Sequence, residues 1–316
     1  MNLSEKIKEH AYSLGFNIVK IIPAEPLPAD GKYLKDWLDK GYSGDLEYMK
    51  KEPEKRFKPD QIIQKAKSII CLAINYYQEF KSDNKKFGRI ARYAWGKDYH
   101  SVIEKKLKKL RKFILENSQA SILDFKLYND AGPILERSYA AKAGIGFVGK
   151  NTAIITKEYG SWVFLSEIIT TIKLDYDKQN NIFSKEEEQL NGLSCGTCQR
   201  CIDSCPTKAL IKPYTLDARK CISYQTIENK NDIAPEIRKK MDNRIFGCDI
   251  CQEVCPHNCR AKQTEVKEFL NHIAGPMMNP EEIYNMNESE FNEKFKGSPV
   301  KRAGCSGIKR NIKHML

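Results

Sequence analysis

The sequence contains no long apolar run and has no hydrophobic stretch near its first residue. No apolar segment approaches the roughly 20 residues that a membrane-spanning helix needs. Residues 1–20 show a charged, amphipathic pattern without the apolar core of a signal peptide. We therefore expect a cytoplasmic protein that does not associate with membranes. No long internal repeat or low-complexity segment is evident either.

The sequence also lacks the features of a disulfide-stabilised secreted protein. Its cysteine count is eleven, an odd number, and 316 residues is long for a disulfide scaffold. Nine of these cysteines fall within residues 195–259. The sequence reads C-x2-C-x2-C-x3-C-P from Cys195 to Pro206, a spacing with which bacterial ferredoxins hold cubane iron–sulfur clusters, and C-x2-C-x3-C-P from Cys248 to Pro256. The pattern predicts two 4Fe-4S clusters and one-electron redox chemistry.

The individual cluster ligands follow from the ferredoxin rule that the cysteine before the proline binds the other cluster. The predicted ligands of the first cluster are Cys195, Cys198, Cys201 and Cys255. The predicted ligands of the second cluster are Cys205, Cys248, Cys251 and Cys221, which lies between the two motifs. The remaining cysteines are Cys71, predicted to be a buried core thiol, and Cys259 and Cys305, which have no predicted role.

A pair of structural zinc sites is the alternative interpretation of the same cysteines. Pairs of the form C-x2-C also occur as zinc knuckles. The repeated x3-C-P ending and the three-cysteine first run favour iron–sulfur clusters over zinc.

The remaining composition is that of a globular protein with a strong positive charge. Hydrophobic residues make up 41% of the chain, and 53 Lys and Arg against 41 Asp and Glu give a formal net charge of +12. Lysine-rich helices usually present a solvated face. An excess of this size also fits a polyanionic partner such as nucleic acid, bound mainly through its phosphates. The basic clusters lie at residues 50–58, 85–92, 105–112 and 301–313.

Hydrophobic periodicity divides the chain into three predicted parts. Alternating strand and helix patterns, with a continuous apolar run at Ser68–Tyr76, predict a mixed-sheet domain of the α+β or α/β class at residues 1–175. A polar segment at residues 175–189 leads into a loop-rich, ferredoxin-like domain at residues 176–262. Short helical patterns predict a helical C-terminal segment at residues 263–316.

A glycine-rich motif in the first part allows two interpretations. Gly144, Gly146 and Gly149, followed by Lys150, spell G-x-G-x-x-G-K. A dinucleotide or phosphate loop needs a strand before the glycines and a helix after them, and here the predicted order is reversed. The glycines therefore indicate a tight helix-to-strand connection with close backbone approach.

Asp130 and His100 also have a structural and a functional interpretation. Asp130 follows a predicted strand at Ile122–Leu127 and precedes a predicted helix at Ile134–Ala143. From the residues alone, a helix N-cap is favoured over a functional carboxyl group at the C-terminal end of a strand. His100, near the start of another predicted helix, is interpreted as a cap or surface residue rather than as a metal ligand.

Taken together, the motifs resemble those of the epoxyqueuosine reductase family over nearly the whole chain. The stretches that carry the resemblance are Asp130–Arg137, Ala143–Thr152, Cys195–Pro206, Cys221–Glu228 and Gly247–Gln252. The resemblance implies an enzyme with cob(II)alamin and two 4Fe-4S clusters that reduces epoxyqueuosine to queuosine at the wobble position of tRNAs with GUN anticodons. It also implies a short form, because many members continue into a C-terminal helical-repeat domain.

The resemblance further implies roles for individual residues. It makes Asp130 the proton donor, in place of a helix cap, and burial beside the corrin would then have to raise the pKa of that carboxyl. It implies the same division of the eight cysteines between two clusters. The candidate cobalamin contacts are Arg56, Tyr93, Asp130, Ser223 and Asp249. The implied partners are the anticodon stem-loop of tRNA and an unidentified electron donor, with the protein itself a monomer.

Two other functions stay open at this stage. Another corrinoid iron–sulfur reductase, such as a reductive dehalogenase, would use the same clusters and corrin but has no need of a basic surface. A non-catalytic electron-transfer protein would leave the first 175 residues without a purpose.

Overall fold

The computed structural model describes residues 1–82, 84–177 and 194–316, so most of the predicted polar segment at residues 175–189 lies outside the described residues. The strands are β1 Ile18–Pro23, β2 Ser68–Asn75, β3 Gly88–Ile90, β4 Phe125–Tyr128, β5 Phe147–Val148, β6 Ile154–Ile155, β7 Val163–Thr170, β8 Leu210–Lys212, β9 Thr215–Leu216, β10 Arg244–Phe246 and β11 Met277–Met278. The α-helices are α1 Leu3–Ser13, α2 Pro28–Asp39, α3 Glu47–Lys50, α4 Tyr99–Glu116, α5 Glu136–Lys142, α6 Arg200–Asp203, α7 Ile222–Ile227, α8 Pro235–Arg238, α9 Ile250–Glu253, α10 Lys267–Leu270, α11 Pro280–Asn285, α12 Glu288–Lys294 and α13 Gly304–Ile312. Within the described residues, no helix is long and apolar enough to cross a membrane.

A four-stranded sheet in the order β1-β2-β7-β4 forms the centre of the first part of the chain. Every residue of β2 and of β7 is buried, because a strand covered on both faces needs apolar side chains on both. The predicted apolar strand at Ser68–Tyr76 is confirmed as β2. All neighbouring pairs in this sheet are antiparallel. The mixture of helix and sheet is therefore as predicted and is of the α+β class.

Helices cover both faces of this sheet. On one face, α1 and α4 contribute Ile7, Ile103 and Leu107 to a core shared with the strands. On the other face, α5 contributes Tyr139, which packs in a second core with Phe57. Since helices cover both faces of the sheet, we expect functional side chains at its edges and in the loops that follow its strands.

A second, three-stranded sheet joins all three predicted parts of the chain. Its order is β10-β3-β11, with β10 parallel and β11 antiparallel to β3. Helix α13 is fixed to it by the buried side chain of Asn311, which donates hydrogen bonds to the carbonyls of Thr226 (2.7 Å) and Ile245 (2.9 Å). The C-terminal residues thus share a core with the cysteine-rich part, and the boundaries near residues 175 and 262 stay predictions.

The glycine-rich segment lies between α5 and β6, in the order that the sequence predicts. Gly144 adopts a positive φ of 76° just after α5, a conformation that favours glycine. A Cβ atom at Gly146 would collide with the carbonyl oxygen of Ile155. The interpretation as a tight helix-to-strand connection is confirmed.

Candidate redox and substrate site

The four cysteines predicted to bind the first cluster lie around one cavity. The residues that line it include Cys195, Cys198, Cys201 and Cys255, together with Lys150, Arg200 and His257. Cys255 reaches this cavity from the second motif, so the structure brings together the same four cysteines that the ferredoxin rule groups. Within the described residues, no three Cys, His, Asp or Glu side chains converge on one point where a single metal ion would bind.

The cysteines predicted to bind the second cluster are also neighbours. Burial raises the pKa of the Cys221 thiol, and the nearby Cys205 adds to the shift. Burial likewise raises the pKa of Cys251, with contributions from Cys248 and Cys221. Buried thiolates this close together repel one another unless cations lie between them, and a cluster's iron ions would supply that charge.

The other three cysteines lie apart from these groups. Cys71 is fully buried in β2, which confirms the predicted core thiol, and Cys305 is buried in the first turn of α13. Cys259 is exposed.

Asp249 is held by a buried ion pair that joins the second cysteine motif to the first part of the chain. Its Oδ2 accepts hydrogen bonds from the backbone N–H of Arg92 (2.8 Å) and from the guanidinium (3.4 Å). The same guanidinium donates to Glu253 (2.7 Å) and lies over the ring of Trp162 (4.8 Å to its centroid). Burial raises the pKa of Asp249 although Arg92 opposes the shift. Asp249 thus orients the cluster region, and its predicted contact with cobalamin stays a prediction.

Asp130 lies in the loop after β4 and does not cap a helix. Helix α5 begins six residues later, at Glu136, and Asp130 has a positive φ of 62°, so the helix-cap interpretation is wrong. The backbone N–H of Asp130 donates to the Glu136 carboxylate (2.5 Å) instead. The hydroxyl of Tyr99 donates to the Asp130 carboxylate, and Nε2 of His100 lies 3.6 Å from the same oxygen.

The protonation of this group differs from the expectation for Asp130. Although the Asp130 side chain is 60% exposed, partial desolvation tends to raise its pKa. The nearby His100 and the hydrogen bond from Tyr99 outweigh this effect, and the pKa of Asp130 lies below its usual value. Burial lowers and the carboxylates of Asp130 and Asp98 raise the pKa of His100, with a net result of about 9. Burial and the charge of Asp130 raise the pKa of Glu136 to about 8. At neutral pH the mobile protons therefore reside on His100 and Glu136, and Asp130 is ionised.

Of the other candidate cobalamin contacts, Arg56 and Tyr93 lie in this neighbourhood. The Arg56 guanidinium donates to the backbone carbonyl of Gly132 (3.4 Å), two residues after Asp130. The Tyr93 ring packs edge-on against Tyr99 (6.0 Å between centroids). Burial and the charge of Asp130 raise the pKa of Tyr93 well above its usual range.

Ser223 lies on α7, and its contact with cobalamin stays a prediction. The side chain is half-buried, and its backbone carbonyl accepts a hydrogen bond from the Thr226 hydroxyl (3.2 Å). Helix α7 begins directly after Cys221, so Ser223 follows a predicted ligand of the second cluster.

Unpaired polar atoms close to the Asp130 loop fit a large ligand that bears hydrogen-bonding groups. Within the described residues, the buried Nε of Arg56 and both carboxylate oxygens of Glu167 have no hydrogen-bond partner. Burial raises the pKa of Glu167, and the charge of Asp130 adds to the shift. Buried polar atoms are almost always paired in folded proteins. A corrin, whose rim carries amide groups, would supply donors and acceptors to such atoms.

The sequence motifs assign no functional role to Tyr99, His100 or Arg302, which share this site. Tyr99 and His100 reach Asp130 because Asp98 caps α4 and sets where that helix begins. An Asp-x-His triplet at a predicted helix start was the available signal. Arg302, from the C-terminal segment, pairs with Glu228 (2.5 Å and 3.0 Å), and its charge helps to lower the pKa of Asp130.

The fold and these groups define an iron–sulfur oxidoreductase with a second redox or substrate site at the end of β4. Comparison with known proteins agrees. The family model described as "Epoxyqueuosine reductase QueG, DUF1730" matches residues 56–131. The family model described as "4Fe-4S double cluster binding domain" matches residues 194–258. An epoxyqueuosine reductase from Atelocyanobacterium thalassa is 36% identical, and the alignment covers 100% of both chains.

Two solved structures extend the similarity to the whole fold. One is an epoxyqueuosine reductase with a tRNA-Tyr epoxyqueuosine-modified stem loop; its TM-score is 0.86 at 33% identity, covering 99% of this chain and 81% of the other. The second is the Bacillus subtilis epoxyqueuosine reductase with its catalytic aspartate loop swung out of the active site. Its TM-score is 0.85 at 33% identity, covering 99% of this chain and 82% of the other. The present chain belongs to the epoxyqueuosine reductase family. The double-cluster match also favours iron–sulfur clusters over the zinc alternative.

Replacing Cys221 by Ala removes the predicted fourth ligand of the second cluster. Anaerobically reconstituted Cys221→Ala protein is expected to contain about half of the iron and sulfide of the unaltered protein, because an incomplete ligand set loses its cluster. Cys259→Ala is the matched control, since this exposed thiol lies outside the predicted set, and it should retain the full content. Full iron content in both variants would contradict the assignment of Cys221.

Proposed function

We propose that this protein reduces the epoxide of epoxyqueuosine to queuosine at the wobble position of tRNAs with GUN anticodons. The observation that carries the proposal is the family membership over the full chain, combined with the placement of Asp130 at the end of β4 beside two proton-bearing groups. Reduction of an epoxide to an alkene consumes two electrons and two protons and releases water. The site must therefore supply both electrons and protons.

The electrons are proposed to pass through the two clusters. Clusters of this type transfer electrons singly and reach low potentials. Cobalamin, when bound, supplies a cobalt centre that can be reduced and can act on carbon in a way that no side chain can. We propose Arg56, Tyr93, Asp130, Ser223 and Asp249 as the residues that hold it.

The protons are proposed to reach the substrate through His100 and Asp130. The Asp98 carboxylate orients the His100 ring because it accepts a hydrogen bond from Nδ1–H of His100 (2.8 Å). The other ring nitrogen, Nε2, faces Asp130. The side chain of Asp130 is 60% exposed and can meet a substrate, whereas His100 carries the proton at neutral pH. We therefore propose that His100 passes its proton to Asp130, which transfers it to the departing oxygen, and that water at the exposed Asp130 side chain supplies the second proton.

The proposed RNA partner rests on the basic surface and on the solved relative that holds a modified stem loop. Helix α4 begins at the proposed site and exposes Lys105, Lys108 and Lys112. Lys108 pairs with Glu104 (2.6 Å), and Lys112 lies 3.7 Å from Glu116. Such exposed pairs are weak and would yield to RNA phosphates. The electron donor, the monomeric state and the cytoplasmic location stay predictions.

Asp130→Asn tests the proton donor. The amide keeps the size of the carboxyl group but cannot transfer a proton, so the variant is expected to keep its clusters and bound cobalamin and to lose most turnover. Turnover is measured by nucleoside analysis of tRNA after incubation with anaerobically reconstituted, reduced protein. Normal conversion to queuosine by the variant would exclude Asp130 as the proton donor. Absence of conversion by the unaltered protein would contradict the proposed function itself.

His100 predicts a pH dependence. Its pKa is raised from 6.5 to about 9 in the folded protein, so the protonated form, and with it turnover, is expected to decline as pH rises through about 9. The same shift means that His100 stabilises the fold below about 6.5 and that this contribution is lost as pH rises towards 9.

Asp98→Asn is the discriminating variant for this pH profile. Asparagine can still cap α4 but removes the negative charge that raises the pKa of His100. The alkaline decline should then move to lower pH, with turnover below it preserved. An unmoved profile would show that His100 does not supply the proton.

Neutralising the lysines of α4 tests the RNA surface. The variant with Gln at Lys105, Lys108 and Lys112 is expected to bind the anticodon stem-loop more weakly. The slope of log affinity against log salt should become shallower by about 2, because each lost phosphate contact contributes roughly 0.7–0.9. The control neutralises Lys32, Lys65 and Lys67, which are equally exposed but lie outside α4. Equal slopes in both variants would mean that this face of α4 is only solvated.

A further inference from the structure

The turn that follows Gly149 connects the first part of the chain to both cysteine motifs. The backbone N–H of Lys150 donates to Sγ of Cys195 (3.4 Å). The side-chain amide of Asn151 donates to the carbonyl of Cys251 (3.2 Å). A Cβ atom at Gly149 would lie 2.5 Å from the Ile155 side chain and 2.7 Å from Oδ1 of Asn151, so a larger residue there would disturb this turn.

Lys150 is a buried cation without a carboxylate partner in the described residues. The residue is 9% exposed. Its ammonium donates to the carbonyls of Gly196 (2.6 Å) and Cys198 (2.9 Å), both in the loop of the first cysteine motif. Burying a positive charge is costly unless a negative charge lies close by, and carbonyl dipoles compensate only part of that cost.

The negative charge that fits this position is the first cluster itself. Lys150 lines the same cavity as Cys195, Cys198, Cys201 and Cys255. Four thiolates and four sulfides around four iron ions make the cluster an anion, and reduction adds a further negative charge. Arg200 also lines the cavity, but it is exposed, so water screens its charge far more than that of Lys150.

We propose that Lys150 is the charge-compensating and positioning residue of the first cluster, and that its ammonium raises the reduction potential of that cluster. A fixed positive charge stabilises the more negative, reduced form, and an N–H group directed at a thiolate sulfur acts in the same direction. The proposal rests on the ligand set proposed for the first cluster and does not depend on which substrate is reduced.

Two substitutions of Lys150 distinguish the effect of its positive charge from the effect of its size and hydrogen bonds. Lys150→Gln keeps a hydrogen-bond donor but loses the charge, and Lys150→Arg keeps the charge. The control is Lys157→Gln, because Lys157 is an exposed lysine seven residues further along the chain, after β6. Iron and sulfide are measured first, and the midpoint potentials of both clusters are then measured by redox titration followed by electron paramagnetic resonance, with no tRNA present.

In Lys150→Gln, the reduced-to-oxidised ratio of one cluster at fixed potential is expected to fall about tenfold, equivalent to about 59 mV for one electron. The other cluster should keep its potential, and Lys150→Arg and Lys157→Gln should resemble the unaltered protein. Loss of about half of the iron in Lys150→Gln but not in Lys150→Arg would also support the proposal.

Two results would overturn the proposal. One is an unchanged potential with full iron content in Lys150→Gln. The other is equal loss in Lys150→Gln and Lys150→Arg, since a retained charge would then make no difference. A protein that holds both clusters but fails to convert tRNA would refute the proposed function and leave this inference standing.

Discussion

The buried ion pair of Arg92 with Asp249 and Glu253 is the interaction on which the geometry of the two redox regions depends. Arg92 lies between β3 and α4, and its two partners lie in the second cysteine motif. Buried charged pairs add little net stability over an apolar contact. Removal of one partner leaves the other charge buried and unpaired, which lowers the free energy of unfolding by about 3–5 kcal/mol. The pair therefore acts mainly by fixing one arrangement, in which the start of α4 and the second motif face the same space.

The residues proposed to carry electrons and those proposed to deliver protons belong to different elements of this arrangement. The cysteines belong to loops and to two helices of four residues, and the turn after Gly149 contacts both motifs. The proton-bearing residues belong to the capped start of α4 and to the start of α5. The pKa of His100 is raised and that of Asp130 is lowered, so in the proposed mechanism the proton resides on His100, next to the carboxyl group that would deliver it.

The sequence predicted well what depends on local pattern. The apolar run of β2 and the glycine connection follow from local pattern, and the structure confirms both. The predicted grouping of Cys255 with the first motif is consistent with the cavity that these four cysteines line. It predicted poorly what depends on partners distant in the chain. Asp130 looked like a helix cap, but Glu136 occupies its backbone N–H and α5 starts later. The antiparallel order of the sheet and the strand β3, which pairs with residues beyond 240, leave no trace in local periodicity.

Helix α5 joins the two regions through different residues. At its first residue Glu136 accepts the N–H of Asp130, and Arg137 beside it donates to the carbonyl of Thr152 (2.5 Å), in the turn that holds both motifs. The loop from Asn129 to Leu135 is anchored by the buried side chain of Ile134, whereas Asp130 itself is held by contacts with Glu136, Tyr99 and His100. The contacts that position the proposed proton donor are therefore separate from the contact at Thr152 that ties α5 to the cysteine motifs, so a change in one need not disturb the other.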